Sequence, residues 1–371
     1  MSTSTSNFRG NFRGNFRGRD VGINARPDFQ RFKNALTLQQ ACRRPPLFDF
    51  IIDGSHKQAI LGRPVETAAD NVAFYAKAGY DYVQASVYPP VVELGEAVKA
   101  QKEKEHTASH STSQAVIQSF DHYKSKRWSW QPVAESDYAP IEPALRLLEQ
   151  TAAAVPDSMR VLLHTADVFT FAWEMIGFTE LCLASFEQPD WLEAVMESLG
   201  NAVRNCARES IRRAGDRIGA IIYSDDIAYT EGLMLCPDFF RKLLFPIIQD
   251  IADMGRQIDA PLIYHSDGRL YDVFDDLAAI GVRGVQPLEP KSMEPLQIKQ
   301  RWPGKFCLLG NIDLDMMSRG SPDQVRAYVR NKIDTLNVGG GYMPGVSNTV
   351  PYYVNLDNYI AMIQTVYEYG E

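Results

Sequence analysis

Short apolar runs that end in a polar tip recur along this chain, and most are followed by a stretch with the apolar period of an amphipathic helix. The runs are 47–54 (LFDFIIDG), 82–88 (YVQASVY), 159–167 (MRVLLHTAD), 218–226 (IGAIIYSDD), 260–268 (APLIYHSDG), 282–289 (VRGVQPLE), 305–313 (KFCLLGNID) and 341–348 (GYMPGVSN). Helices are predicted over 29–44, 65–77, 192–213, 238–254, 270–280, 292–301, 322–336 and 355–369. Pro45-Pro46 stops the first of these, and Ser321-Pro322-Asp323-Gln324 has the cap, proline and reciprocal Gln of a helix start. Strand, helix, strand is the grammar of a parallel crossover. Eight repeats of it predict an α/β protein, a (β/α)8 barrel with an N-terminal helical extension and a helical insertion after strand 2. A doubly wound open sheet is the alternative, but no GxGxxG opens any of the helices.

Composition changes this picture little. The chain has 371 residues, 45% of them hydrophobic and 23% charged, as in ordinary globular proteins. No long apolar run suggests a membrane span, and the start MSTSTSNFRG lacks the apolar stretch of a signal peptide, so a cytoplasmic protein is expected. Five scattered cysteines without CxxC spacing read as reduced core residues.

Charge adds more. The net value is −8, yet the first twenty residues sum to +3, which leaves the remainder at −11. An acidic body excludes nucleic acid as a partner of the main domain. The tail repeats Asn-Phe-Arg-Gly from Asn7 to Gly18 and has no periodic face, so 1–24 is expected to be disordered and 25–371 to form a single domain. An RNA-binding or self-associating tail is the sharper alternative. His106 and His110 have helical metal-ligand spacing, but the surrounding Ser, Thr and Lys read as a solvated segment.

Candidate chemistry lies at the polar tips: Asp53, Ser86, Tyr88, His164, Asp167, Asp225, Asp226, His265, Asp267, Glu289, Asn311, Asp313, Ser347 and Asn348. One such residue is usually a turn or cap. His265 and Asp267 are stronger, because residues i and i+2 of a strand share a face, where an imidazole and a carboxylate can share a proton or a divalent metal. Asp225 and Asp226 point oppositely if their strand stays regular.

From Ile218 onward the residues carry a resemblance to the uroporphyrinogen decarboxylase superfamily. Its bearers are YSDDIAYTEGLMLCPDFFRKLLFPIIQDI (223–251), LIYHSDG (262–268), GVQPLEP (284–290), LLGNIDLDMM (308–317) and VNLDNYIAMI (354–363). The resemblance implies a TIM barrel and, among its members, is nearest the corrinoid-dependent methyltransferases and demethylases. The tetrapyrrole decarboxylases carry an arginine-rich stretch of the form RQAGRY after their first strand and an Asp after the second. Here IIDGSHKQAILGRP (51–64) and QASVYPP (84–90) stand instead. The thiol-activating methyltransferases hold zinc through His-x-Cys and a later Cys, whereas this chain has His265-x-Asp267 and Val346.

What remains implied is a demethylating member. It would take a methyl group from a small O-methyl compound, such as a methoxylated aromatic, or from an N-methyl compound, and give it to a separate corrinoid protein. An ether oxygen leaves poorly unless protonated or bound to a Lewis acid. His265, poised by Asp267 or Asp225, is the expected proton donor, with Asp226 beside it. Zinc, if present, is expected on His265, Asp267 and Glu289. Tyr88, His164, Trp173 and Tyr229 are expected against the substrate, with Asn311, Ser347 and Asn348 orienting it. A homodimer is allowed. A decarboxylase-like lyase and a non-catalytic ligand-binding barrel are the alternatives.

Overall fold

Every apolar run predicted as a strand, except the first, forms one, and the strands align side by side in parallel. The computed structural model describes residues 18–105, 115–131 and 138–369. In it β1 (Tyr82–Ser86), β2 (Arg160–Ala166) and β3 (Ile218–Ser224) are followed by a short hairpin, β4 (Ala228–Tyr229) with β5 (Gly232–Leu233). Then come β6 (Leu262–His265), β7 (Val282–Gln286), β8 (Cys307–Ile312) and β9 (Tyr342–Val346). The main sheet has the order β1-β2-β3-β6-β7-β8-β9, seven strands that curl in a barrel-like arrangement. Register brings the polar tips to one end: Ser86 lies beside His164, Ser224 beside His265, and His265 beside Gln286.

The first run, 47–54, departs from the expected eighth strand. It touches the last strand through Phe48 N–H to the Pro344 carbonyl (3.0 Å) and continues to an isolated parallel bridge between Ile52 and Val350. Gly345 permits the approach, since a Cβ there would sit 1.6 Å from the Phe48 oxygen. On the other side no ladder joins it to β1. The Tyr82 hydroxyl instead accepts from Asp49 N–H (2.9 Å) and donates to the Asp49 carbonyl (2.8 Å). One phenol thus satisfies both backbone groups that a strand partner would have met.

Asp49 takes part in that closure and is fully buried, with its carboxylate accepting from Val346 N–H (2.8 Å) and from the Tyr80 hydroxyl. Burial raises its pKa to about 6, against the opposing pull of those two bonds. A carboxyl whose folded pKa exceeds its unfolded value stabilises fully below the unfolded pKa, and that contribution is lost as pH rises through the folded one. Asp49→Asn is therefore expected to melt higher than the wild type at pH 8, by at most about 3 kcal/mol of stability. The gain should vanish near pH 4, as melting curves across pH would show.

Helices follow the local signals where those are strong. The Ser321–Gln324 capping box forms and opens the helix Pro322–Leu336. Elsewhere backbone chemistry shortens or splits them. The extension helix is Phe29–Leu36, stopping where Leu38 adopts a left-handed φ of 60°. The stretch expected to run from 238 to 254 is two helices, Pro237–Leu243 and Phe245–Gln257, because Pro246 has no N–H to continue the first. The insertion after β1 contains helices Val92–Glu105, Phe120–Ser125 and Glu142–Ala154.

The Asn-Phe-Arg-Gly repeat up to residue 17, and His106 with His110, lie outside the described residues. Residues 18–24 of the expected tail lie against the barrel, with Val21 buried and Arg19 paired to Asp357. Among the described residues no helix is long and apolar enough to cross a membrane.

Candidate active site

At the carboxyl ends of the strands a cavity of about 320 Å³ opens between Phe50, Tyr88, His164, Asp167, Phe171 and His265. Phe50 sits between the two histidines. Its ring stacks on His265 (3.9 Å between centroids) and meets His164 edge-on (4.6 Å). Because side chains alternate along an extended segment, Phe48 and Phe50 share a face, and this face of the irregular first run supplies the wall.

His164 belongs to a chain of hydrogen bonds. Tyr88 donates its hydroxyl to Nδ1 (2.6 Å), Nε2–H donates to Ser224 Oγ (2.9 Å), and Ser224 donates to Asp167 Oδ1 (2.9 Å). Burial, and then the nearby His265, hold His164 well below its ordinary pKa, so it is neutral. Asp167 is pushed well above the carboxylate range, first by burial and then by Asp225.

The second histidine is held differently. Gln286 donates Nε2–H to the Asn348 carbonyl (3.3 Å), which turns its Oε1 toward His265 Nδ1. That nitrogen must carry the proton, and Nε2 is left with its lone pair. Burial lowers the His265 pKa in spite of Asp226, Gln286 and Glu289. The expectation that His265 is the proton donor is therefore corrected: its free nitrogen is an acceptor or a metal ligand. Opposite it, 4.0 Å away, is Asp267. Asn348 Nδ2 donates to both oxygens of Asp267 (3.0 Å each). Burial, followed by Asp226 and Glu289, still raises Asp267 to about 7.

Asp225 and Asp226, just past the end of β3 at Ser224, do part company. Asp226 faces the mouth and accepts from Asp267 N–H (2.7 Å). Asp225 turns the other way and accepts from the backbone N–H groups of Val168, Phe169 and Thr170, and from the hydroxyls of Thr170 and Tyr223. It satisfies the open N-terminus of the helix Phe169–Ile176. Its expected catalytic role is thereby corrected to a positioning one.

One nitrogen of His265 and one oxygen each of Asp226 and Asp267 lie within 4.8 Å of one another, a group able to hold a metal ion. A lone pair facing two carboxylates is repulsive unless a proton or cation lies between them. Imidazole with carboxylates also suits zinc or a harder divalent ion better than a thiol-seeking one. Glu289, the expected third ligand, is displaced by Asp226. Its Oε2 accepts from Gly268 N–H (3.2 Å) and Ser292 Oγ (3.1 Å), bracing the loop that carries Asp267.

The other expected residues separate. Tyr88 and His164 line the cavity. Asn348 serves Asp267, and Ser347 is buried after β9. Asn311 is buried and committed, donating to the Leu288 carbonyl (2.6 Å) and accepting from Lys332 (2.6 Å). Trp173 and Tyr229 each meet Phe178 edge-on, away from the cavity's lining. Sequence reasoning missed Phe50, Phe171, Ser224, Gln286 and Glu174. Gln286 stood in a strand tip and was open to selection. Glu174, raised to about 7 by burial and by Asp226, sits on a helix with no local signal.

Residues 122–369 match the family profile described as Uroporphyrinogen decarboxylase (URO-D). No curated protein sequence matches the chain. A solved methyltransferase from Methanosarcina mazei is similar in fold, with a TM-score of 0.66 at 18% identity, over 92% of this chain and 98% of that one. A sugar phosphate isomerase/epimerase from Parabacteroides distasonis reaches a TM-score of only 0.31 at 10% identity, over 80% and 86% of the two chains.

Proposed function

The chain belongs to the uroporphyrinogen decarboxylase family, and on that premise we propose that it is a methyltransferase, one that removes a methyl group from a small O-methyl compound and passes it to a separate corrinoid protein. The observation that carries this reading is the cavity's lining. It offers no Lys or Arg, and its volume of about 320 Å³ suits a single-ring compound. A tetrapyrrole bearing many carboxylates would find no cation in this lining to pair with and nothing to offset its desolvation.

The site's own groups suit ether cleavage. When the methyl group leaves, the oxygen keeps the bonding electron pair and needs a proton. Asp267, raised to about 7 by burial and by Asp226 and Glu289, is the carboxyl beside His265 that would give it, while the neutral His265 Nε2 accepts a hydrogen bond or the returning proton. Phe50, Tyr88 and Phe171 form the apolar wall for an aromatic ring. If a divalent metal such as zinc is bound, Asp226, His265 and Asp267 would hold it, and it would supply Lewis acidity toward the leaving oxygen. Ile51 is exposed and lines the cavity, and an acceptor protein would approach on that side.

The test is methyl transfer from methoxylated aromatics to a reduced corrinoid protein, read from the corrin's visible spectrum. Transfer dependent on this protein is expected. Its absence for O-methyl and N-methyl compounds alike, or anaerobic conversion of uroporphyrinogen to coproporphyrinogen, would overturn the reading.

A further inference from the structure

A second cavity, of about 660 Å³, lies on the opposite face of the barrel. Its lining comes from chain segments at the amino ends of the strands: Arg31 in the extension helix, Arg43 and Arg44 just before the first run, and Tyr367 near the end of the last helix. In a chain of net charge −8, four guanidinium groups gather here, those of Arg26, Arg31, Arg43 and Arg44. Among the described residues one of them, Arg31, is in a direct ion pair. Arg31 pairs with the buried Asp81, and Asp28, the one carboxylate in the lining, accepts from the backbone N–H groups of Gln30 and Arg31 as the helix cap. Among the described residues Arg26, Arg43 and Arg44 have no carboxylate at ion-pair distance. Arg44 is held in place by the Tyr367 ring, 4.1 Å from its guanidinium carbon to the ring centre. Tyr367 is itself fixed by donating its hydroxyl to the Gly79 carbonyl (2.8 Å).

Four guanidinium groups face only two carboxylates, Asp28 and Asp81, around one concave space, and an anion entering it relieves the repulsion that remains. Guanidinium is also the side chain whose planar fork matches phosphate and carboxylate oxygens in pairs. We propose that this cavity binds a small multivalent oxyanion, a phosphate ester or a polycarboxylate, on the face remote from the methyl-transfer site. The two sources share one chemistry: at least two anionic groups spaced to meet Arg44 and its neighbours together. The cavity at the carboxyl ends of the strands offers the same ligand no Lys or Arg, so the two sites are not alternatives for one molecule.

Isothermal titration of the full chain with pyrophosphate and with citrate, at about 0.15 M salt to screen loose surface association, tests this. One saturable equivalent of at least one anion is expected, and the tighter of the two shows whether phosphate or carboxylate is favoured. The double variant Arg26→Ala/Arg43→Ala removes exposed side chains and should melt as the wild type does, yet bind at least tenfold more weakly. Arg44→Lys, which keeps the charge but loses the fork, should also weaken binding. A chain lacking residues 1–17 should bind as tightly as the full one. Failure of both anions to bind saturably, binding unchanged in the double variant, or binding lost with residues 1–17 would each overturn the proposal.

Discussion

His265→Ala is expected to slow methyl transfer by about a hundredfold or more while the barrel stays folded, the usual worth of a group placed to manage a proton at a leaving atom. The side chain is only 6% exposed, stacks on Phe50 and donates to Gln286, so some loss of stability accompanies its removal. One unsatisfied buried acceptor costs about 1–3 kcal/mol. That is short of unfolding for a barrel of this size, and melting curves beside turnover separate the two effects. Lost turnover with a modest fall in melting supports a role at the reacting atoms. Unchanged turnover with a large fall would reduce His265 to a packing residue. Metal analysis of both proteins then divides the supported case: zinc lost with the imidazole means coordination, and zinc absent from both leaves proton management.

The largest expected effect on stability comes from the neighbouring strand tip. Asp225→Ala should cost about 3–5 kcal/mol, because it strands three backbone N–H groups at the start of the helix Phe169–Ile176 and the buried Tyr223 hydroxyl without an acceptor. Asp226→Ala, one residue on and half-buried, should cost far less stability but abolish most turnover, since it belongs to the Asp226–His265–Asp267 group. Urea unfolding of the two variants gives the comparison directly. If Asp225→Ala unfolded like the wild type yet lost activity, Asp225 would return to the reacting centre. Asp225→Asn, which keeps one acceptor oxygen, should fall between the wild type and Asp225→Ala in stability.

Adjacent aspartates with opposite duties illustrate what the chain alone could tell. A period of two, readable from sequence, predicts that Asp225 and Asp226 diverge if the strand stays regular; β3 ends at Ser224, and they diverge just past it. Which of them faces the mouth depends on what lies beside the strand. The open N-terminus of the helix after β2 draws Asp225 away, and nothing near position 225 announces it.

The same division runs through the rest of the site. His265 and Asp267 do meet, although β6 ends at His265 and Asp267 follows it, and as polar residues two apart at a strand tip they were legible. The tautomer of His265 was not, since it follows from Gln286 on the next strand and from the Asn348 carbonyl beyond it. Glu289 was a reasonable third ligand by its strand-end position. Only the loop it braces through Gly268 and Ser292 shows that its carboxylate is already engaged.

Of the eight strands that the sequence predicted, seven form, and with them the alternation of strand and helix and the end of the sheet where the polar tips gather were legible, because hydrophobic period and helix capping act over a few residues. Tertiary structure alone decided how the first run closes the barrel through the Tyr82 hydroxyl and how Phe50 comes to lie between two histidines. It also decided which carboxyls are raised: Asp167, Glu174 and Asp267 owe the shift to burial and to charges from segments far apart in the chain. Burial and like-charge repulsion are sums over neighbours in space, and those neighbours exist only once the chain has folded.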